Sequence, residues 1–403
     1  MLKWEIVGII AGSLAIGLSI LTAQFLTRFS GFTFNPDKRL GYIDGLRGLL
    51  ALGVFLHHYM VTYYSHVTGE WTNPPSQFYT MIARVAIALF FIITGFLFWH
   101  RLLIYRGRVN WAQLYVSRVF RLVPLHWFAV IMLLAIVSYA SAFIMKVHVA
   151  SFLAQIFQWL FLTEMPYINA FSDTVYIGGV LWTLRYEWLF YLSLFFFGFA
   201  VRFAQRYKWL LWLMAAITLV TAKLNFNIPY LKISTAYLLF FLVGAICAAA
   251  YQKEICRAWA RKGAATLISL LAIIFLFVLF KDVYGIKAGA LMMLFFFPIA
   301  SGNPSFNFLK KPAFLLLGEI SYSIYLLHGF LLYIIFWGCF PRFMTHSLSP
   351  FALWAAMAAT AVLLVLVAYL TFSLIESPFI NLGRKISQHL AISPPGHRIG
   401  IFR

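Results

Sequence analysis

The stretch GLRGLLALGVFLHHY, residues 45–59, decides the fold, because it is apolar like a membrane helix yet contains one arginine and two histidines. Arg47 and His58 are 11 positions apart, which places them within about 20° of one helical face and ~16 Å apart along the helix. His57 lies about 80° from that face. Ionisable groups inside a bilayer are costly and usually line a functional cavity. The alternative is an arginine that extends to the membrane surface and a histidine bonded to a neighbouring helix.

The composition indicates a membrane protein along the whole chain. Of its 403 residues, 63% are hydrophobic and only 10% are charged, and 43 are phenylalanine. Apolar runs of about 20 residues recur, which is typical of polytopic helical membrane proteins and excludes a soluble globular fold. We predict an all-α transmembrane bundle of about eleven spans, at residues 5–27, 44–64, 79–100, 122–145, 180–201, 209–224, 233–252, 264–281, 286–300, 318–340 and 350–376.

The net charge of +20 follows from topology and requires no nucleic-acid partner. When the loops between these spans are assigned to alternate sides, one side carries 21 lysines and arginines and the other carries seven. Positive charge accumulates in cytoplasmic loops, so we predict a cytoplasmic C-terminus and an N-terminus outside. The three cysteines, Cys247, Cys256 and Cys339, lack the spacing of a metal or disulfide site, and we expect no metal.

A pair of arginines indicates a site for phosphate groups. Arg118 and Arg121 are three residues apart, so they share a helical face at the predicted cytoplasmic boundary. Paired guanidinium groups can hold phosphates through bidentate hydrogen bonds. The alternative is a pair of arginines that only sets the topology.

Two further segments place polar side chains in apolar surroundings. Glu187 and Tyr191 are four residues apart near the predicted outer start of a span, and we expect Glu187 to meet a cation, either Arg185 or Arg84. Elsewhere His328 lies in an apolar helix in line with Tyr325 and Ser321; such a polar stripe is also typical of helix–helix packing.

A small residue marks a close contact between helices. Gly95 follows Thr94 within the apolar run ALFFIITGF, residues 88–96. We expect this glycine to let another helix approach closely.

Together these segments resemble acyltransferase family 3, a family of integral membrane acyltransferases that modify bacterial O-antigens, exopolysaccharides and macrolide sugars. The motifs occur in family order between residues 40 and 380, and one additional helix precedes the usual start. They are DGLR (44–47) with His58, FFIITGF (90–96), RVFRLVP (118–124), WTLRYE (182–187) with FY (190–191), SYSIYLLH (321–328) and IESP (375–378).

The resemblance implies transfer of an acyl group, most often acetyl, from cytoplasmic acetyl-CoA or another acyl-CoA to a sugar hydroxyl of a cell-envelope or secreted glycan. It also implies a multi-pass protein of the bacterial inner membrane, in contact with lipids. The chain would divide into an extra helix (1–30), the acyltransferase domain (40–380) and a cytoplasmic basic tail (381–403). The expected site residues are His58, Arg47 and Glu187 for catalysis, Arg118, Arg121 and Arg47 for the donor, and Trp182, Tyr191, His328 and Tyr325 for the substrate.

The alternative function is a transporter or flippase of a lipid-linked saccharide, because membrane-embedded arginine, histidine and glutamate also suit a carrier. Many carriers are built from inverted repeats, and the sequence contains no such repeat. The absence of repeats and the arginine pair favour the enzyme.

Overall fold

The chain is helical in nearly all of its described length. The computed structural model describes residues 2–29, 40–204, 209–224, 227–228, 233–339 and 348–389. Apart from helices and loops, these ranges contain a short antiparallel pair of strands, β1 (Asn227–Ile228) and β2 (Ile233–Ser234). The predicted all-α class is therefore confirmed for the described part of the chain.

The helices occur in the following order. They are α1 (Leu2–Phe29), α2 (Gly41–Thr68), α3 (Gln77–Ile104), α4 (Trp111–Ala140), α5 (Val149–Phe161), α6 (Thr174–Gly178), α7 (Trp182–Ala204), α8 (Trp209–Leu224), α9 (Leu238–Tyr251), α10 (Glu254–Ala260), α11 (Gly263–Leu279), α12 (Ile286–Ala300), α13 (Pro312–Glu319), α14 (Ser321–Tyr333), α15 (Pro350–Thr371) and α16 (Ser377–His389). The segments Gly179–Leu181, Thr235–Tyr237 and Pro304–Lys310 form 3₁₀ helices, and Ile334–Cys339 and Phe372–Glu376 form π-helical turns.

Each of the eleven predicted spans contains a helix, but not every helix is long enough to cross a membrane. By length and composition, six helical segments of the described chain can span, or up to eight if each bent pair is one span. The bent pairs are α9 with α10, at 105°, and α12 with Pro304–Lys310, at 74°. The count of eleven spans and the orientation of the termini therefore remain predictions.

The N-terminal helix α1 packs along α15 and against α13. Its buried side chains are Ala11, Ala15, Ser19 and Ala23, which recur every four residues and so form one stripe of small residues. Such a stripe allows two helices to approach closely within a membrane.

The C-terminal helix α16 returns to the bundle and packs against α4. Gly383 lies so close to Phe120 that a Cβ at this glycine would be 2.5 Å from the Cβ of Phe120. The first residues of the predicted basic tail are therefore packed against the bundle as a helix, while residues 390–403 of that tail lie outside the described residues.

The central helix is α2, which packs against α3, α13 and α14. Its contact with α13 is a contact between backbones: a side chain at Gly48 would overlap Leu317, and one at Gly318 would overlap the carbonyl of Asp44. The glycines of α2 and α13 therefore set the distance between these helices.

The close approach predicted at Gly95 is present between α3 and α9. A Cβ at Gly95 would lie 2.5 Å from the carbonyl oxygen of Phe241, and a Cβ at Gly244 would overlap the carbonyl oxygen of Ile92. Two glycines on facing helices thus remove the side chains that would otherwise separate the backbones.

We predict that Gly95→Ala destabilises the protein by about 1–3 kcal/mol, because the added methyl group overpacks a backbone contact that cannot move independently. The matched control is Gly17→Ala in α1, where nothing lies within 4 Å of the new Cβ. Thermal unfolding of the two variants in the same detergent measures the difference. An unchanged melting temperature for Gly95→Ala would contradict the packing described here.

Candidate active site

A cavity of about 800 Å³ lies between α2, α3, α4, α7, α14 and α16. It brings together side chains from all six of the sequence motifs. Six of the nine predicted site residues line it, namely Arg47, Arg118, Arg121, Glu187, Tyr191 and Tyr325.

The arginines reach the cavity from two helices. Arg47 projects from α2, where the nearest carboxylate oxygen of Asp44 is 4.0 Å from its Nη1. Arg118 projects from α4 with its guanidinium carbon 5.4 Å from the centre of the Phe98 ring, a cation–π distance. The Nε of Arg118 is buried and has no hydrogen-bond partner. A buried guanidinium N–H without a partner is costly, so this donor is available to an anionic ligand.

Glu187 supplies negative charge next to these arginines. The charges of Arg47, Arg118 and Arg121 all act on its carboxylate. The hydroxyl of Tyr191 donates to Glu187 Oε2 over 3.4 Å. The embedded carboxylate therefore lies within the electrostatic range of three arginines, on α2 and α4.

Neither of the cations expected to meet Glu187 is placed to do so. Arg185 donates from Nε to the carbonyl of Leu162 at 2.8 Å, and Arg84 donates to the carbonyl of Lys281 at 2.7 Å. That part of the prediction is corrected: Arg185 is two positions from Glu187 and so lies on another face of α7, and the guanidinium of Arg84 bonds to the loop after α11.

Two further arginines line the cavity. From the sequence, both were assigned only a role in setting the topology. Arg101 comes from the last turn of α3, and its Nε is buried without a hydrogen-bond partner. Arg384 comes from α16, in the region predicted to be a tail. In the sequence, the clustering of Arg101, Arg106 and Arg108 in one loop region was a signal for a basic site. No sequence signal indicated that α16 packs onto α4 and brings Arg384 to the cavity.

His58 and His328 face one another just outside the residues that line the cavity. Their ring centroids are 4.8 Å apart. His58 is half-buried and His328 fully buried. The ring of His328 is 6.0 Å from that of Tyr325, which does line the cavity. The histidines are therefore next to the cavity wall, on the α2–α14 side.

Hydrogen bonds to carbonyl groups fix which nitrogen of each ring carries the proton. Nδ1 of His58 lies 3.0 Å from the carbonyl oxygen of Val54, and Nδ1 of His328 lies 3.2 Å from that of Ile324. A carbonyl can only accept, so in the neutral rings Nδ1 is the donor and Nε2 keeps its lone pair. Nε2 of His328 is buried with no hydrogen-bond partner.

His57 lies on a different face of α2, as the helical geometry predicted. Its Nδ1 is 2.9 Å from the carbonyl oxygen of Tyr79, at the start of α3. Although the two neighbouring rings touch at 4.9 Å, only His58 is directed towards α14.

Trp182 is not among the residues that line the cavity. Its ring packs against Tyr186 at 5.5 Å and Tyr237 at 5.2 Å. The adjacent Thr183 does line the cavity, and its hydroxyl is 2.9 Å from that of Tyr325. Thr183 thus lines the cavity, where the sequence had led us to expect Trp182.

A buried carboxylate lies behind the cavity wall. Glu376 is fully buried in the π-helical turn after α15 and accepts a hydrogen bond from Ser323 of α14, while its Oε2 has no hydrogen-bond partner. The hydroxyl of Thr371 donates to Ser323 over 3.1 Å. The charges of Arg121 and Arg47 act on Glu376. This network joins α14 to the end of α15 behind the cavity wall.

The described residues contain no group of three or more histidine, cysteine, aspartate or glutamate side chains that could hold a metal ion. The polar groups of the site are arginines, carboxylates, tyrosines and the histidine pair. They suit ion pairing, hydrogen bonding and proton transfer.

A family model described as an acyltransferase domain matches residues 40–371. The chain belongs to acyltransferase family 3. The match includes Arg47, His58, Arg118, Arg121, Glu187 and His328, and the family identifies the protein as a membrane acyltransferase. Comparison with curated proteins and with solved structures gives no significant match.

The matched range of the acyltransferase domain covers the cavity walls except Phe372 and α16. It begins after α1 and ends at the last residue of α15. The resemblance stated from the motifs is thus confirmed.

We predict that Ser323→Ala destabilises this acyltransferase by about 1–3 kcal/mol, because it removes the hydrogen bond to a buried carboxylate. Ser373→Ala is the matched control, since that hydroxyl only donates to the carbonyl of Tyr369 in the preceding turn. Thermal unfolding in detergent compares the two variants. Equal effects would contradict a special role for the Ser323–Glu376 bond.

Proposed function

We propose that this membrane acyltransferase transfers an acyl group, in the first instance acetyl, from acyl-CoA to a sugar hydroxyl of a cell-envelope or secreted glycan. The observation that carries the proposal is the cavity in which Arg47, Arg118 and Arg121 converge. CoA carries three phosphate groups, and converging guanidinium groups are the side chains best suited to bind them. Buried N–H groups that lack partners support the same interpretation.

His58 is the proposed general base. Its Nδ1 donates to the carbonyl of Val54, so Nε2 can take a proton from the acceptor hydroxyl. The resulting oxygen attacks the thioester carbonyl, the C–S bond breaks, and the thiolate of CoA leaves and takes up a proton. The alternative is transfer through an acyl group carried on His58 itself.

The other residues have supporting roles in the proposal. Arg47 lies on the same helix as His58 and orients the thioester or helps to bind the donor. Glu187, hydrogen-bonded to Tyr191, assists proton transfer. Tyr325 and His328 position the substrate next to the base, and Trp182 acts from the surrounding aromatic cluster.

The proposed setting is a bacterial inner membrane, with lipids around the bundle and the arginine end of the cavity facing the cytoplasm, where acyl-CoA is found. The distribution of basic residues supports this orientation. It would leave the opposite end of the bundle accessible to an extracytoplasmic glycan.

The test of the proposal is transfer of label from radiolabelled acetyl-CoA to an envelope glycan extract by the purified protein. We predict that His58→Ala lowers the rate by about 10²–10⁴-fold, the usual contribution of a general base. His57→Ala is the matched control and should lower the rate much less, because His57 bonds to Tyr79 on another face.

Label that moves into the glycan fraction with wild type but not with His58→Ala would support the proposal. Equal losses in the two variants would contradict the assignment of His58. If neither acetyl-, propionyl- nor succinyl-CoA gives transfer or raises the melting temperature of wild type, acyl-CoA is not the donor, because a ligand of the native state must stabilise it. The carrier function would then be favoured.

A second prediction concerns the donor site. Arg118→Ala and Arg121→Ala should each raise KM for acetyl-CoA by about 10–100-fold, as expected for the loss of charge-assisted hydrogen bonds. KM for the acceptor should change by less than about twofold, since these arginines would touch only the donor.

The matched control is Arg108→Ala, which removes an exposed arginine near the same end of the bundle that does not line the cavity. Initial rates at varied acetyl-CoA and varied acceptor separate the two constants. Unchanged donor dependence in Arg118→Ala and Arg121→Ala would refute a phosphate clamp.

A further inference from the structure

Five side chains from three separate segments form a cluster that the catalytic proposal does not use. We call it the aromatic–acid cluster; it consists of Trp71, Asp173, Tyr176, Tyr333 and Trp337. Trp71, in the loop after α2, is stacked on Tyr176 of α6 at 4.7 Å and 20°. Tyr333, at the end of α14, is stacked on Trp337 of the π-helical turn at 5.3 Å and 13°. All five side chains are partly exposed.

Asp173 links the two stacked pairs. Its Oδ2 accepts a hydrogen bond from the hydroxyl of Tyr333 at 3.3 Å, and its Oδ1 accepts one from Ser172 at 3.2 Å. Its backbone carbonyl accepts from the N–H of Tyr176 at 2.9 Å. The carboxylate therefore contacts the Tyr333–Trp337 pair directly, and its residue lies three positions before Tyr176 of the other pair.

The cluster lies beyond the histidines, at the opposite end of α2 from Arg47. His66 packs edge-on against Trp337 at 5.3 Å. Eight positions separate His58 from His66, or ~12 Å along the helix. Nineteen positions separate Arg47 from His66, or ~28 Å, which is close to the thickness of the hydrocarbon core. The cluster and the arginine cavity therefore lie at opposite ends of α2, about the thickness of a hydrocarbon core apart, with His58 between them.

Tryptophan and tyrosine are common at membrane surfaces as anchors, but this cluster has features that anchoring does not need. Anchoring requires no carboxylate, and a half-buried carboxylate costs desolvation. Anchoring also does not require rings from three segments to form two stacked pairs, one of them hydrogen-bonded to an acid. These features suit a ligand that has both apolar faces and hydroxyl groups.

The charge of the cluster excludes the donor as its ligand. The arginine cavity combines five arginines with three carboxylates, whereas the charged group of the aromatic–acid cluster is the carboxylate of Asp173. A carboxylate repels the phosphates of CoA but accepts hydrogen bonds from neutral hydroxyl groups. Aromatic faces carry partial negative charge and attract the weakly positive C–H bonds on one face of a pyranose ring.

We propose that the aromatic–acid cluster binds a neutral saccharide unit of the acceptor, with Trp71 and Trp337 contacting the sugar rings and Asp173 accepting hydrogen bonds from their hydroxyl groups. This inference rests on the proposed function, since it states where the acceptor binds. The bound unit lies about two helical turns from His58, so the modified hydroxyl belongs to that unit or to the adjacent one.

The test measures steady-state transfer from radiolabelled acetyl-CoA to the envelope glycan extract by the full-length protein. Trp71→Ala, Trp337→Ala and Asp173→Asn should each raise KM for the acceptor by about five- to tenfold. KM for acetyl-CoA should change by less than about twofold. Trp71→Phe keeps an aromatic face and should restore most of the acceptor affinity.

The matched control is Trp127→Ala, which removes a tryptophan of α4 that is 46% exposed and outside the cluster. Melting temperatures in detergent select the variants that fold, and Trp71→Leu replaces Trp71→Ala if the latter unfolds. Unchanged acceptor KM in folded variants, with active wild type, would overturn this site and leave the proposed function intact. No transfer by wild type would overturn the proposed function, and this inference with it.

Discussion

The contact between the backbones of α2 and α13 is the constraint on which the rest of the site depends. Gly48 and Gly318 remove the side chains at this contact, and a Cβ at either would overlap the neighbouring backbone or the side chain attached to it. Gly45 does the same one turn earlier, against Leu309 in the segment that precedes α13. Lipid tails are as apolar as leucine, so close packing and polar contacts must hold such helices together. Because α14 follows α13 after a single residue, fixing α13 against α2 also fixes α14. This is how His328 comes to face His58.

Polar side chains then determine how the remaining helices are arranged around α2. The hydroxyl of Tyr325 joins α14 to Thr183 and to the carbonyl of Val180 at the start of α7. The hydroxyl of Tyr322 donates to the carbonyl of Leu122 in α4 over 2.9 Å. Each of these bonds crosses between helices that also line the cavity. The same contacts therefore stabilise the bundle and hold the arginines and Glu187 in position.

The sequence predicted what depends on a single helix. Helical periodicity placed Arg47 and His58 on one side of α2 and His57 on another, and spacing paired Arg118 with Arg121 and Glu187 with Tyr191. Family motifs predicted the acyltransferase domain. These features depend on local geometry, which the chain specifies residue by residue.

Contacts between distant helices could not be predicted in the same way. The electrostatic partners of Glu187 lie on α2 and α4, and Arg384 reaches the cavity only because α16 folds back on α4. The length of apolar runs did not reveal the sharp bends after α9 and α12. Counting apolar runs therefore did not determine the number of spans. Periodicity identifies the face that a helix buries but not the helix that covers it.

The arrangement of two binding regions at opposite ends of α2 has a kinetic consequence. If donor and acceptor occupy the arginine cavity and the aromatic–acid cluster, neither blocks the path of the other, so both can be bound at once in either order. Free CoA can depart while the modified glycan is still held, and an abundant glycan does not compete with acyl-CoA. The rate would then respond to the supply of each substrate independently.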